Sequence, residues 1–322
     1  QVVNPATNVP MAKSLGLVFE DFDDDGFLDC VIANDTVQNF LFHNLGNGKF
    51  EEIGALAGVA FDATGAARGA MGIDAAMFRN DPSVGVAIGN FANEMSALYV
   101  SRARNLQFYD AAVANGFGPA TRLELTFGVL FLDFDLDGRL DIFQSNGHLE
   151  EDIAKVQASQ RYEQSPQLFW NAGPQNTTEF VRCKESETGP DLQKPMVGRG
   201  SSYADIDADG DLDVLLVGCG QAPRLLRNDQ KLGNHWLRVK LVGKDRNKSA
   251  IGALVTVHRG ETIQARRVSP TRSYLSQVEL PVTFGLGTIE DVDRITVQWP
   301  NGKIQKILDP QVDQLLVIEQ TE

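Results

Sequence analysis

An all-β fold is predicted: a β-propeller of four visible blades, followed by a β-sandwich-like domain. Three features of the 322-residue sequence carry that prediction. An aspartate-rich loop of one spelling occurs three times. Short β-branched and apolar runs flank every copy. After Asn228 the short runs give way to longer strands of alternating polarity.

The loop is clearest at Asp205-Ile206-Asp207-Ala208-Asp209-Gly210-Asp211-Leu212-Asp213. Carboxylates stand at positions one, three, five and nine (Asp205, Asp207, Asp209 and Asp213), with Gly at six. The same positions are Asp21, Asp23, Asp25 and Asp29 in one further copy, and Asp133, Asp135, Asp137 and Asp141 in the other. Hard oxygens at this spacing suit Ca²⁺, which takes about 6–8 oxygen ligands at about 2.3–2.6 Å. Gly at six permits the positive φ of a tight reversal. Without a cation, four carboxylates so close repel, and some must protonate or move apart. An EF-hand begins similarly but needs a bidentate Glu at position twelve and helices on both sides. Position twelve here is Ile32, Gln144 and Leu216, and the following runs, such as Cys30-Val31-Ile32-Ala33 and Val214-Leu215-Leu216-Val217, are strands. The loops therefore read as strand–loop–strand calcium sites, each inside a β-hairpin. A solvated acidic turn would not repeat three times with the same glycine and the same flanks.

The first loop serves as a ruler for the repeat. Gly16 to Phe19 precede it. Asp29 to Ala33, Asn39 to Asn44 and Gly48 to Ile53 follow, which makes four short strands, one propeller blade. The second unit is degenerate. Its loop, 77–85, places Met77, Arg79, Asp81, Pro82 and Gly85 at positions one, three, five, six and nine. No calcium is expected there; the Arg79 guanidinium is expected to pair with Asp81 or a nearby carboxylate in the cation's stead. The third unit runs from Leu125 to about Cys183, and the fourth enters at Gly200 to Ala204. Loop starts lie 56, 56 and 72 residues apart, and the longer last step fits an insertion around Leu149–Ser165 with a helix near Glu150–Ala158. The fourth unit lacks an obvious outer strand, which Val2-Val3 or Trp236–Leu241 could supply. In the tail, Trp236–Leu241, Ala253–His258, Arg294–Trp299 and Ile304–Ile307 alternate as half-buried strands, and Pro300-Asn301-Gly302 is a hairpin turn. The division is 1–230 and 231–322.

The net charge is −14, and the three loops hold fourteen Asp. The acidity is thus partly a metal-site signature. With no basic stripe to release counterions, nucleic acid is excluded as a partner. No apolar run is long enough to span a membrane. Gln1-Val2-Val3-Asn4-Pro5 shows no leader, so a leader has been removed or the chain is a piece of something longer. The three cysteines make no disulfide framework. Cys30 and Cys219 are expected in inner strands as small buried hydrophobes, and a Cys183–Cys219 bridge is left open. Weak calcium loops suit a secreted, extracellular or periplasmic setting.

The loops and their blade context resemble FG-GAP/VCBS repeats, the calcium-binding blades also found in integrin α-subunits. The tail is similar to the ASPIC/UnbV domain in Asn234-His235-Trp236-Leu237, Ala250-Ile251-Gly252-Ala253, Ser273-Tyr274-Leu275-Ser276-Gln277, Phe284-Gly285-Leu286-Gly287 and Trp299-Pro300-Asn301-Gly302. Repeats followed by this tail resemble the cartilage acidic protein (CRTAC-like) family, over nearly the whole chain. The resemblance implies a secreted, calcium-stabilised propeller. It adds the position-seven carbonyls, those of Phe27, Arg139 and Asp211, to the carboxylate ligands. Such propellers commonly have more blades than four, so the chain is the C-terminal part of a larger one, a small four-bladed closure or an open arc completed by a partner; missing upstream sequence is the favoured expectation.

No nucleophile elbow, phosphate loop, dinucleotide fingerprint or His-rich metal signature occurs. His43 and His258 lie in predicted strands and read as structural. His235 sits at the domain junction, and His148 beside Glu150 and Glu151 is the best catalytic candidate. The leading function is a non-enzymatic, adhesion-like module whose loops bind protein or glycan. A calcium-stabilised carbohydrate lyase or dehydratase, and an accessory subunit of an extracellular or periplasmic assembly, stay open.

Overall fold

In the computed structural model, all residues are described except 1, 4–6, 103–104, 245 and 322. The first blade is a meander of β1 (Ser14–Glu20), β2 (Asp29–Asn34), β3 (Phe40–Asn44) and β4 (Phe50–Glu52). The second is β5 (Ala70–Ala76), β6 (Gly85–Asn90), β7 (Ala97–Ser101) and β8 (Phe108–Asp110). The third is β9 (Thr126–Leu132), β10 (Asp141–Asn146), β11 (Gln167–Asn171) and β12 (Phe180–Arg182). The fourth has three strands, β13 (Gly198–Ala204), β14 (Asp213–Gly218) and β15 (Arg224–Leu226). Every aspartate loop lies inside a hairpin: its ends pair as Glu20 with Asp29, Leu132 with Asp141, and Ala204 with Asp213.

Period-two alternation gives each blade two apolar faces, and neighbouring blades share them. Val18, Val31 and Leu41 of the first blade pack on Ile73, Val86 and Tyr99 of the second. The other face of the second, Ala87 and Leu98, packs on Val129, Ile142 and Phe169 of the third. Leu130, Phe143 and Leu168 then pack on Val214 and Leu216 of the fourth. The innermost strands β1, β5, β9 and β13 lie side by side in that order. Gly16 and Gly72 allow the approach: a Cβ on them would stand 2.6 Å from Met71 O and 1.9 Å from Phe127 O of the next blade.

The tail is a two-sheet sandwich. β16 (His235–Val242), β17 (Leu254–Arg259), β18 (Thr262–Arg267), β19 (Thr271–Arg272), β20 (Ser276–Gln277), β21 (Val282–Gly287), β22 (Arg294–Gln298), β23 (Ile304–Leu308) and β24 (Gln314–Glu319) follow in order. One sheet is β21-β16-β24 and the other β18-β17-β22-β23. Leu237, Val239, Val255, Phe284, Ile295 and Trp299 fill the space between them. The short β19–β20 hairpin leaves the sandwich and enters the blade arc. Its Ser273 bridges Ile73 of β5, and Ser273 Oγ accepts from Val129 N at 3.0 Å and meets Ser201 Oγ at 3.0 Å.

Several expectations are corrected. Among the described residues the fourth blade gains no outer strand: Val3 bridges only Pro10, and Trp236–Leu241 belongs to β16, paired with β21 and β24. The inserted helix is one turn, Ile153–Val156. All three thiols are free, and Cys219 is exposed just past the end of β14 rather than buried within it.

The two ends of the arc differ from its middle. Val31, Ala87 and Phe143 occupy one equivalent position and are 0, 0 and 2% exposed, whereas Leu215 of the last blade is 41% exposed. At the other end Leu17 is 42% exposed, whereas its equivalents Ile73 and Val129 are fully buried. Replacing Leu17 and Phe19, or Leu215 and Leu225, by Ser is expected to lower dye binding and self-association of this chain. Stability in urea should move by less than about 1 kcal/mol, because exposed positions contribute little. Unchanged dye binding would show that those faces are already covered.

Candidate metal centres

The three loops share one backbone. Position four is left-handed in each (Asp24 φ 65°, Leu136 φ 59°, Ala208 φ 64°), and so is the glycine at six (φ 90°, 97° and 101°). This double reversal turns the position-one carboxylate onto the glycine amide. Gly26, Gly138 and Gly210 donate to Oδ2 of Asp21, Asp133 and Asp205 at 3.0, 2.9 and 3.1 Å. Position nine is a staple. Asp141 Oδ2 accepts from Phe134 N at 3.1 Å and its Oδ1 from Asn171 N at 2.7 Å, tying the loop to the third strand. Asp29 and Asp213 repeat this with Asn44 and Asn228.

Among the described residues the fold gathers three groups whose potential ligand atoms all lie within 4.8 Å: Asp23, Asp25 and His43; Asp133, Asp135 and Asp141; and Asp205, Asp207 and Asp213. Of the residues expected from the sequence, Asp21, Asp29, Asp137, Asp209 and Asp211 fall outside these tightest sets. Asp137 is turned onto the Arg139 guanidinium. The donor set fits a hard cation. Asp23 Oδ1, Asp133 Oδ1 and Asp211 Oδ1 are buried without a hydrogen-bond partner, one in each loop. An orphaned buried carboxylate oxygen is costly unless a cation faces it.

The electrostatics agree. Burial, then the neighbouring Asp137 and Asp135, push Asp133 up to about 8. Burial and Asp209 push Asp211 to about 8, and burial raises Asp29 to about 6.

The residue before each third-strand Asn faces the position-three carboxylate, and Trp170 hydrogen-bonds it. His43 Nε2 lies 3.2 Å from Asp23, Trp170 Nε1 donates to Asp135 Oδ2 at 3.0 Å, and Arg227 stands 3.9 Å from Asp207. His43, read from sequence as merely structural, therefore belongs to the first group.

The second loop keeps the turn, with Asn80 at φ 57°, but not the charge. Arg79 makes a fork onto Glu179 of the third blade, Nε to Oε1 and Nη2 to Oε2, each at 2.7 Å. Asp81 instead accepts from Ser83 N at 2.8 Å, so the pairing expected with Asp81 or another carboxylate is made by Glu179.

The tail reaches the loops directly. Gly285 N donates to Asp133 Oδ2 at 3.1 Å, and Arg238 Nη1 to Asp205 Oδ2 at 2.8 Å. Asn234 donates to the Asp135 carbonyl at 2.7 Å. Arg267 pairs with Glu20, the residue before the first loop, and Arg272 reaches the buried Asp74 at 2.6 Å. His148 is 3% exposed; its Nδ1 accepts from Glu150 N at 3.0 Å, and burial lowers its pKa. That is a turn-forming role.

The family described as ASPIC and UnbV matches residues 243–322. Cartilage acidic protein 1 of Mus musculus is 28% identical over 298 residues, which is 90% of this chain and 42% of that protein. The Homo sapiens protein of the same name is 28% identical over 90% of this chain and 41% of its own length. The chain is similar to cartilage acidic protein 1 and spans about two-fifths of the length of the curated relatives it matches. Among solved structures, the Dos1 propeller is similar over 94% of this chain and 61% of its own, at 13% identity and a TM-score of 0.34. Among the described residues no helix is long and apolar enough to cross a membrane.

Arg79→Met would strand Glu179, whose side chain is 4% exposed. Loss of one partner of a buried ion pair is expected to cost about 3–5 kcal/mol in chemical denaturation. Calcium should not restore it, whereas adding Glu179→Leu should. Rescue of the single variant by calcium would mean that this loop binds a cation after all.

Proposed function

We propose that this chain is a secreted, calcium-stabilised propeller segment acting as a non-enzymatic binding or scaffolding module for protein or glycan. The carrying observation is a buried carboxylate oxygen without a hydrogen-bond partner on two proposed ligands, Asp23 and Asp133, within clusters of potential ligand atoms that recur in three loops. Oxygen-only surroundings at loops three and four favour Ca²⁺ over softer metals. The proposed ligands are the carboxylates of Asp21, Asp23, Asp25 and Asp29, of Asp133, Asp135, Asp137 and Asp141, and of Asp205, Asp207, Asp209 and Asp213. The carbonyls of Phe27, Arg139 and Asp211 complete the sets. We further propose two domains, 1–230 and 231–322, and an extracellular or periplasmic setting in keeping with relatives called cartilage acidic proteins.

The cation's part is mechanical. It neutralises carboxylates that would otherwise push the hairpin open, and so holds each blade corner rigid. Rigid corners let the intervening loops present one surface. A ligand that binds only the folded state adds about 2.7 kcal/mol per site at a hundredfold excess over its dissociation constant. The apolar faces around Leu17 and Leu215 suit further blades of the same type, which would complete the ring.

Titration calorimetry should give three calcium equivalents, falling to two in Asp133→Asn/Asp135→Asn. The melting temperature should drop by about 10 °C or more on chelation. An unchanged melting temperature would remove the structural role of the metal.

A pH series gives an independent check. The folded pKa values of Asp133 and Asp211, about 8, lie above the ordinary unfolded value of about 3.9. Between those limits the folded chain holds protons that the unfolded chain releases. Calcium-free stability should therefore be fully present near pH 4 and decline as pH rises to 8. Calcium, supplying the positive charge itself, should flatten that slope.

A further inference from the structure

We propose that the C-terminal sandwich docks on the blades through the same carboxylates that hold the cations, so that cation binding and domain docking strengthen each other. The proposal rests on the calcium reading and adds a partner to it: the tail of the same chain. Two lead aspartates offer one oxygen to the tail. At Asp133, Oδ1 is buried with no hydrogen-bond partner, while Oδ2 takes Gly138 N from its own loop and Gly285 N from β21. At Asp205, Oδ1 takes only Ala208 N of its own loop, while Oδ2 takes Gly210 N and the Arg238 guanidinium from β16. Arg238 is 4% exposed, and its other arm grips Glu279 within the tail.

A cation on one oxygen fixes the carboxylate's rotamer, so the other oxygen is already aimed at the tail's guanidinium or amide. In reverse, a tail already docked holds the carboxylate in the orientation the cation requires, and the ordering cost is met once for both partners. Such coupling is reciprocal and typically worth 5–150-fold in affinity. The loop glycines make room for it. A Cβ on Gly210 would lie 2.0 Å from the Trp236 ring, and one on Gly138 would lie 2.8 Å from Gln264 Nε2, so the tail rests directly on both loops. The first loop is an internal control. Asp21 accepts from Asp25 N and Gly26 N of its own loop, and Arg267 of the tail bonds Glu20 instead.

Calcium titration of the whole chain, wild type against Arg238→Gln, tests this. Arg238 is a positioning residue, so Arg238→Lys is included as the conservative rescue. Wild type is titrated first. If it takes up no calcium, the calcium reading falls before any variant is made. If it does, Arg238→Gln should weaken one site about tenfold, leave the first-loop site unchanged, and be partly restored by Arg238→Lys. Trypsin adds a measurement on wild type alone. Lys231, exposed between β15 and β16, should be cut about tenfold faster in chelator than in calcium, because the tail lifts away when the cations leave. Equal calcium affinities in wild type and a folded Arg238→Gln, or cleavage at Lys231 that ignores calcium, would overturn the coupling and leave the calcium sites standing. Should Arg238→Gln fail to fold by circular dichroism, the wild-type cleavage ratio decides.

Discussion

A carboxylate held dry among others of its kind is unstable as an anion, and this fold puts such carboxylates at three blade corners. Asp133 is the extreme case. It is 1% exposed, its Oδ1 has no partner, and Asp135 and Asp137 add their field to the desolvation. Hydrogen bonds from Gly138 and Gly285 serve only the other oxygen. The hairpin backbone cannot relieve the strain by opening, because the position-nine aspartate is bonded to the loop and to the third strand at once. Countercharge must come from outside the loop, which is why the corner reads as a cation site.

The second blade shows the same corner with a guanidinium in it. Its turn survives at Asn80, and the strands either side pair in the usual register. Met77 replaces the lead carboxylate and is buried. The positive charge is now covalent: Arg79, with Glu179 from the next blade as its counter-ion and Phe78 beneath its guanidinium at 4.9 Å. Blade geometry therefore does not require calcium as such. It requires compensating charge at the corner, and in the other three the carboxylates outnumber the guanidiniums beside them, such as Arg139 on Asp137 and Arg238 on Asp205.

Much of this was legible in the sequence because it is local. Loop spelling, the glycine at six and the flanking β-branched runs all lie within a dozen residues, and they placed the hairpins correctly. Tail strands were visible for the same reason, through alternation and the Pro300-Asn301-Gly302 turn. What stayed hidden is long-range or carries no residue signature. The left-handed position four is filled by Asp24, Leu136 and Ala208, none of which announces a positive φ. Trp170 and His43 look like ordinary strand residues until the third strand is laid beside the loop. Glu179 lies one hundred residues from Arg79, and Gly285 lies 152 residues from Asp133. The outer strand sought for the fourth blade failed because Trp236–Leu241 has two better partners inside its own sandwich.

The tail hairpin explains how an arc of four blades keeps an ordered axis. Along the arc, the small residue at the centre of each inner strand meets the inner strand of the next blade: Gly16 meets Met71, and Gly72 meets Phe127. Gly200, next but one in that series, meets Ser276 of β20 instead. The other hairpin strand lies against β1 and β5, so the hairpin bridges the fourth inner strand back towards the first. Arg272 then carries a positive charge to Asp74, which stands in β5 where the first and third blades have Val18 and Leu130. A buried aspartate in the middle of an inner strand would be a defect in a blade considered alone. It makes sense only with the hairpin in place. Propeller and tail were therefore shaped as one object, with the tail supplying charge and backbone at the axis that the blades by themselves leave unmet.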